Sequence, residues 1–115
     1  MLEATTAADI DGVTGEKRVC ELGRGPVVSF MDRRTIYDKE LYWLAFETAV
    51  RIGCPCQTKT LVAGGNDAGS IHKSRGGVHT ITVNVPCRYI HSPSCMCDVK
   101  PLFLHITEAT IRNKK

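Results

Sequence analysis

Strand-like and helix-like segments alternate from residue 27 to residue 85, and that alternation leaves few architectures open. Residues 27–31 read as a buried strand that stops at an acid, Asp32. Asp38 then takes the place of an N-cap. The helix it starts runs to about residue 52, with Leu41, Leu44, Ala45, Thr48 and Ala49 along one side. Gly53 and Cys54-Pro55 are stop signals. Residues 57–62, rich in Thr, Leu and Val, form a second strand, residues 68–74 a short helix, and residues 78–85 a third strand closed by Pro86. Strand–helix–strand order implies parallel pairing through right-handed crossovers and an α/β class. A last helix is expected over residues 102–111. No internal repeat or linker interrupts the chain.

The connections carry the polar groups. After the third strand comes Pro86-Cys87-Arg88-Tyr89-Ile90-His91-Ser92-Pro93. A histidine where a strand gives way to a rigid loop is fixed by the backbone, and it faces the edge where α/β proteins put their chemistry. Between the second strand and the short helix lies Ala63-Gly64-Gly65-Asn66-Asp67-Ala68-Gly69-Ser70-Ile71-His72. Its glycines permit a tight turn and close approach of backbone to a ligand, and Asn66 or Asp67 is the natural helix cap. Two further stretches complete the set. Glu3 opens a Thr/Ala-rich run that ends Ala8-Asp9, and Gly23-Arg24-Gly25-Pro26 leads into the strand before Met31-Asp32. Glu3 read alone fits a frayed acidic terminus as well as a ligand.

Taken in order, these four stretches resemble the dinuclear metallo-aminopeptidases, the glutamyl, deblocking and tetrahedral aminopeptidases, some once labelled endoglucanases. The similarity runs from Leu2 to about Cys95. The pair Gly-Gly-x-Asp-Ala-Gly-x-Ile-His and Arg-Tyr-Ile-His-Ser carries it most specifically. The resemblance implies a three-layer zinc-exopeptidase-type α/β sandwich with a mostly parallel or mixed sheet. It implies hydrolysis of N-terminal residues from peptides at two divalent ions, zinc in the first place, with cobalt or manganese as alternatives. By the same resemblance Glu3 and His91 ligate different ions, and Gly64, Gly65 and Asp67 line or brace the substrate cleft. Asp67 serves a cap role equally well. Family members are longer, so residues 1–115 look like the C-terminal portion of a catalytic domain. The general base and remaining ligands are expected in segments outside this sequence. The isolated chain is therefore expected to be inactive and prone to self-association, where full-length relatives form homo-oligomers. A cytoplasmic location also follows from the resemblance. Asp11 and Thr14 stand where the family has prolines, and Pro101 interrupts what is normally helix.

Composition narrows the rest. The 115 residues carry a formal charge of only +3, with Lys and Arg scattered, which gives no basic stripe for nucleic acid. No apolar run reaches the roughly 18 residues of a membrane span, and no signal peptide opens the chain. Six cysteines supply a rival reading. Cys54-Pro55-Cys56 and Cys95-Met96-Cys97, with Cys20 and Cys87 besides, contain enough thiolates for a structural zinc in a small non-enzymatic domain. One-residue spacers are poor for that purpose, because both thiolates must strain onto one ion. Cys56 and Cys87 lie in or beside strands, where buried thiols are ordinary core residues. Tyr42 and Trp43, on the helix, read as packing.

Overall fold

The computed structural model describes residues 1–99, so the expected helix over residues 102–111, and Pro101, lie outside the described residues. Five strands form one mixed sheet: β1 (Leu2–Thr6), β2 (Val27–Val28), β3 (Gln57–Thr58), β4 (Val83–Arg88) and β5 (Met96–Cys97). Their order is β1-β4-β2-β3, with β5 also against β4. Helix α1 (Lys39–Arg51) connects β2 to its parallel neighbour β3, as the strand–helix–strand order requires. The expected parallel run β2-β3-β4 does not form: β4 pairs not with β3 but between β1 and β2, parallel to β1 and antiparallel to β2.

The helix forms where its signals are local. The Asp38 carboxylate accepts the Leu41 N–H at 2.9 Å and also meets His79, which holds the Asp38 carboxyl below its usual range. The Tyr42 hydroxyl and Thr58 Oγ1 bond at 2.9 Å, docking α1 on β3. Leu41, Leu44, Ala45, Thr48 and Ala49 face the sheet across an apolar cleft of about 260 Å3, lined opposite by Val28, Ile81 and Val83. Trp43 is more exposed than the packing role read from sequence, at 55 %, and its ring meets those of Tyr42 and Phe46.

Strand ends are set by partners distant in sequence. The strand expected over residues 78–85 begins at Val83 and runs through Pro86 to Arg88. Pro86 is tolerated for a physical reason. Val83 N–H bonds Met1 O and Cys87 O accepts from Ala7 N–H, so odd residues of β4 face β1 and even ones face the other edge. On that edge β2 pairs at residues 83–84 and β5 at 87–88, and the missing N–H of Pro86 falls in the gap between them. Strand β3 is short because Thr60 N–H leaves the sheet for Val19 O. Beyond β2, Asp32 N–H bonds Thr35 O in a tight turn closed by a Met31–Ile36 bridge.

The two faces of the sheet differ in character. Ile81 and Val83 point toward α1, while Thr82 and Asn84 point the other way and are fully buried. Asn84 Nδ2 donates to Val27 O at 2.9 Å and to Ser29 Oγ at 3.0 Å. A small core of Ala7, Val19, Cys20 and Val27 lies beside this polar face. One ion pair ties the ends together. Arg88 grips Asp9 at 2.7 Å (Nε–Oδ1) and 2.8 Å (Nη2–Oδ2), and Leu22 N–H donates to Asp9 Oδ2 at 2.9 Å. The Arg88 guanidinium holds the Asp9 carboxyl down at about 2.

A carboxyl held below its unfolded pKa of about 3.9 stabilises the fold above that pH. Its contribution is lost as pH falls from about 4 through about 2. Replacing Asp9 by Asn should cost on the order of 2 kcal/mol at neutral pH, since charged hydrogen bonds are lost and Arg88 is left without its counterion. It should also flatten the stability loss in that acid window. Chemical denaturation of both forms between pH 2 and 7 checks both outcomes.

Candidate functional site

On the polar side of the sheet a cavity of about 340 Å3 is walled by residues from six stretches of the chain that are separate in sequence. Strand β1 supplies Ala4, Thr5 and Thr6, β4 supplies Asn84, the glycine loop supplies Gly64, Gly65 and Asn66, and the loop after β4 supplies His91. Asp32 and Lys59 complete its charged lining.

His91 is held by an unusual turn. Ser92 N–H bonds Tyr89 O at 3.1 Å, and Ser92 Oγ donates at 2.6 Å to Tyr89 O. Inside that turn Tyr89 has φ 60° and His91 φ 67°, both in the left-handed region. His adopts that region more readily than most residues, but a side chain there still costs about 1 kcal/mol relative to glycine. Val19, also on the cavity wall, is more strained. It has φ 65° and ψ −58° in a three-residue turn where Cys20 N–H meets Arg18 O at 2.7 Å. Val19 and His91, two of the four non-glycine residues with positive φ among the described residues, thus both line this cavity.

The sequence-predicted residues divide by position. His91, Gly64 and Gly65 line the cavity. Glu3 lies on β1 in register with Asn84 and so shares its face of the sheet, but it is not among the residues that line the cavity. Asp67 begins helix α2 (Ala68–Ile71) behind the loop and makes no side-chain cap bond. Of the two candidate caps it is Asn66 that acts, accepting Ala68 N–H at 3.0 Å.

The glycine loop is shaped by an arginine as well as by its own turn. A Cβ on Gly65 would sit 2.7 Å from Arg34 Cδ, and one on Gly69 2.9 Å from Arg34 Cβ. Arg33 N–H bonds Gly64 O at 2.9 Å, so the Met31-Asp32 turn and the Gly64-Gly65 loop are built against each other. Asp32 is held in turn by Arg34 N–H at 2.7 Å and by the Tyr37 hydroxyl at 2.6 Å. Burial, reinforced by this bond to Asp32, raises the Tyr37 pKa.

Sequence reasoning passed over Lys59, Asn84 and Val19. Lys59 Nζ donates to Ala63 O at 2.8 Å, and burial lowers its pKa, with Asp32 and Cys20 opposing. A signal existed for Asn84: an asparagine between two valines is out of place in a central strand unless its amide has partners. The backbone of Val19 gave no such sign.

His91 and Glu3 offer the nitrogen and oxygen donors that zinc-class ions accept, so they fit part of such a site. Among the described residues no group of three or more His, Cys, Asp or Glu is arranged to hold a metal ion. That applies equally to the cysteine-zinc alternative. Cys54 and Cys56 precede β3, whereas Cys95 and Cys97 lie at β5 against β4.

Comparison with known proteins places this geometry in context. The family model described as M42 glutamyl aminopeptidase matches residues 1–106. A putative aminopeptidase of Acetivibrio thermocellus is 37 % identical over 103 residues, which cover 85 % of this chain and 31 % of that protein. Among solved structures, the aminopeptidase APDkam598 from the archaeon Desulfurococcus kamchatkensis superposes with TM-score 0.85 at 29 % identity, over 94 % of this chain and 32 % of that one. The TET aminopeptidase of the marine sediment archaeon Thaumarchaeota archaeon SCGC AB-539-E09 gives 0.78 at 30 % identity, over 96 % and 30 %. The chain spans about a third of the length of these relatives.

The left-handed conformation at His91 has a measurable consequence. His91→Gly should be more stable than His91→Ala by about 1 kcal/mol, because only glycine occupies φ 67° without strain. Thermal denaturation of the two variants checks this, and equal stabilities would mean that the turn relaxes.

Proposed function

The chain belongs to the M42 glutamyl aminopeptidase family, and from that premise we propose that it contributes to metal-dependent removal of N-terminal residues from peptides. The observation that carries the reading is His91, projected by a left-handed turn onto the wall of the cavity beyond β4. His91 would hold one divalent ion, and Glu3, on the face of the sheet it shares with Asn84, would hold its neighbour. Zinc is the first candidate for both, cobalt and manganese the next. When bound, such ions polarise a carbonyl and make water acidic enough to react near neutral pH. The chain's own groups bind and orient. Gly64, with open space where a Cβ would stand, leaves room for an extended peptide, and Gly65 lines the cavity while Arg34 fills the space its Cβ would take. Lys59 and Asp32 set the charge of the wall, and Asp67 braces the loop from behind. The general base and the remaining ligands would come from polypeptide outside residues 1–115, which we read as the C-terminal portion of the catalytic domain.

Two neighbouring properties belong to the same reading. Leu2, Ile36, Trp43 and Val50 are exposed by 58, 80, 55 and 81 %, a large apolar surface for so small a chain. We propose that it self-associates non-specifically through such uncovered apolar side chains. Sedimentation over a wide concentration range should show association, and a monodisperse monomer throughout would contradict it. A cytoplasmic location is part of the proposal. Among the described residues no helix is long and apolar enough to cross a membrane.

The purified chain should bind Zn2+ weakly in a calorimetric titration, and His91→Ala and Glu3→Ala should each weaken that binding. Cys54→Ala/Cys56→Ala should leave it unchanged. The reverse pattern would transfer the metal to the cysteines and sink the aminopeptidase assignment of His91. Peptides incubated with the same protein and metal should keep their N-terminal residues. Release that disappears in His91→Ala would show that the chain needs no further ligands.

A further inference from the structure

The loop that carries His91 is bracketed by thiols. Cys87 on β4 stands directly opposite Cys97 on β5, and Cys95 lies two residues before it. The backbone groups of Cys87 face β1, where Cys87 O accepts from Ala7 N–H. Toward β5 the Cys87–Cys97 pair is therefore a non-hydrogen-bonded antiparallel pair, the type whose Cα atoms approach to about 4.5 Å and whose side chains are closest. Disulfides span Cα separations of about 4.4–6.8 Å, so this pair can close with little backbone movement. The Cys95 and Cys97 thiols lie near enough to Cys87 to help raise its pKa. All three are free, Cys87 buried and the other two exposed.

We propose that Cys87 and Cys97 form an oxidative modification site, joined into a disulfide across the base of the His91 loop by exchange with a low-molecular-weight disulfide. The steps balance. The exposed Cys97 thiolate attacks one sulfur of the disulfide reagent RSSR, forming a Cys97–SR bond and expelling RS−, which takes a proton. The Cys87 thiolate then attacks the Cys97 sulfur, the Cys97–SR bond breaks, and a second RS− leaves and is protonated. Two protein thiols are oxidised, one RSSR is reduced to two RSH, and the two protons come from Cys87 and Cys97. Exposure decides the order, because the reagent reaches Cys97 and not Cys87.

Burial, together with the neighbouring thiols, pushes the Cys87 thiol up to about 11. Ring closure should consequently be the slow step, accelerating about tenfold per pH unit between pH 7 and 9 as the thiolate fraction grows.

The test is peptide mapping of the purified 115-residue chain. The protein is treated with oxidised glutathione, alkylated under denaturing conditions and digested without reductant. The expected result is a mass lower by two hydrogens and a peptide pair linked through Cys87 and Cys97, both reversed by dithiothreitol. Cys97→Ser, an exposed change that leaves the core untouched, should lose the link, while Cys95→Ser should keep it. Six alkylated cysteines, glutathione retained on Cys97, or a link through Cys95 would each overturn the proposal. The readout involves neither metal nor peptidase activity, so it stands or falls apart from the function proposed above.

Discussion

The bidentate pair between Asp9 and Arg88 joins the ends of β1 and β4, already paired along five residues, to the Gly-Pro loop. Asp9 is 6 % exposed in its side chain and Arg88 29 %, so the pair is shielded on one side and solvated on the other. That intermediate position favours it. A fully exposed pair contributes little, and a fully buried one pays heavily in desolvation. Here the geometry is a fork against a carboxylate, and the second carboxylate oxygen also takes Leu22 N–H from the loop before Gly23. The end of β1, the Gly-Pro loop and the end of β4 are thus joined at one carboxylate. The turn holding His91 begins at the residue after Arg88, so the placement of the imidazole rests on this clamp.

A second feature follows from the unequal faces of the sheet. The side toward α1 is apolar but leaves a cleft, and the side toward the cavity is built from Thr5, Ser29, Asp32, Thr82 and Asn84, all buried. Hydrogen bonds do on that side what close apolar packing does in most domains. Asn84 binds Val27 and Ser29, and Asp32 binds Tyr37 and Arg34. Networks of this kind fix one geometry, since a partner displaced by an ångström leaves a buried polar atom unsatisfied. Buried Val19 persists in its strained conformation because its surroundings hold it, its carbonyl accepting from Thr60 N–H and Thr60 Oγ1. An apolar wall of equal size would hold a cavity open without setting where its polar groups point.

Legibility in the sequence followed the range of the interaction. Helix α1 was readable because its cap, its apolar side and its stop lie within 16 residues of one another, Asp38 through Gly53. The turn at Gly64-Gly65 and the loop carrying His91 were readable from punctuation by glycine and proline. The family resemblance joined these local signals into one site and correctly implied a mixed sheet. What the sequence left open was direction and partner. The antiparallel insertion of β4 between β1 and β2 depends on backbone pairs some 55 residues or more apart, such as Val27 with Asn84. Asp9 and Arg88 are 79 residues apart, and nothing in either neighbourhood announces the other.

The residue types at the edges of the sheet were therefore determined by sequence: a histidine after a strand, two glycines before a helix, an acid on the first strand. Only the tertiary structure decided that Gly65 and Gly69 are small because Arg34 lies against them, that Asn66 and not Asp67 caps the short helix, and that Cys87 faces Cys97. The physical reason is that propensity, capping and turn chemistry act over a few residues. Strand order and side-chain contact are settled by which distant surfaces exclude water and satisfy one another's hydrogen bonds.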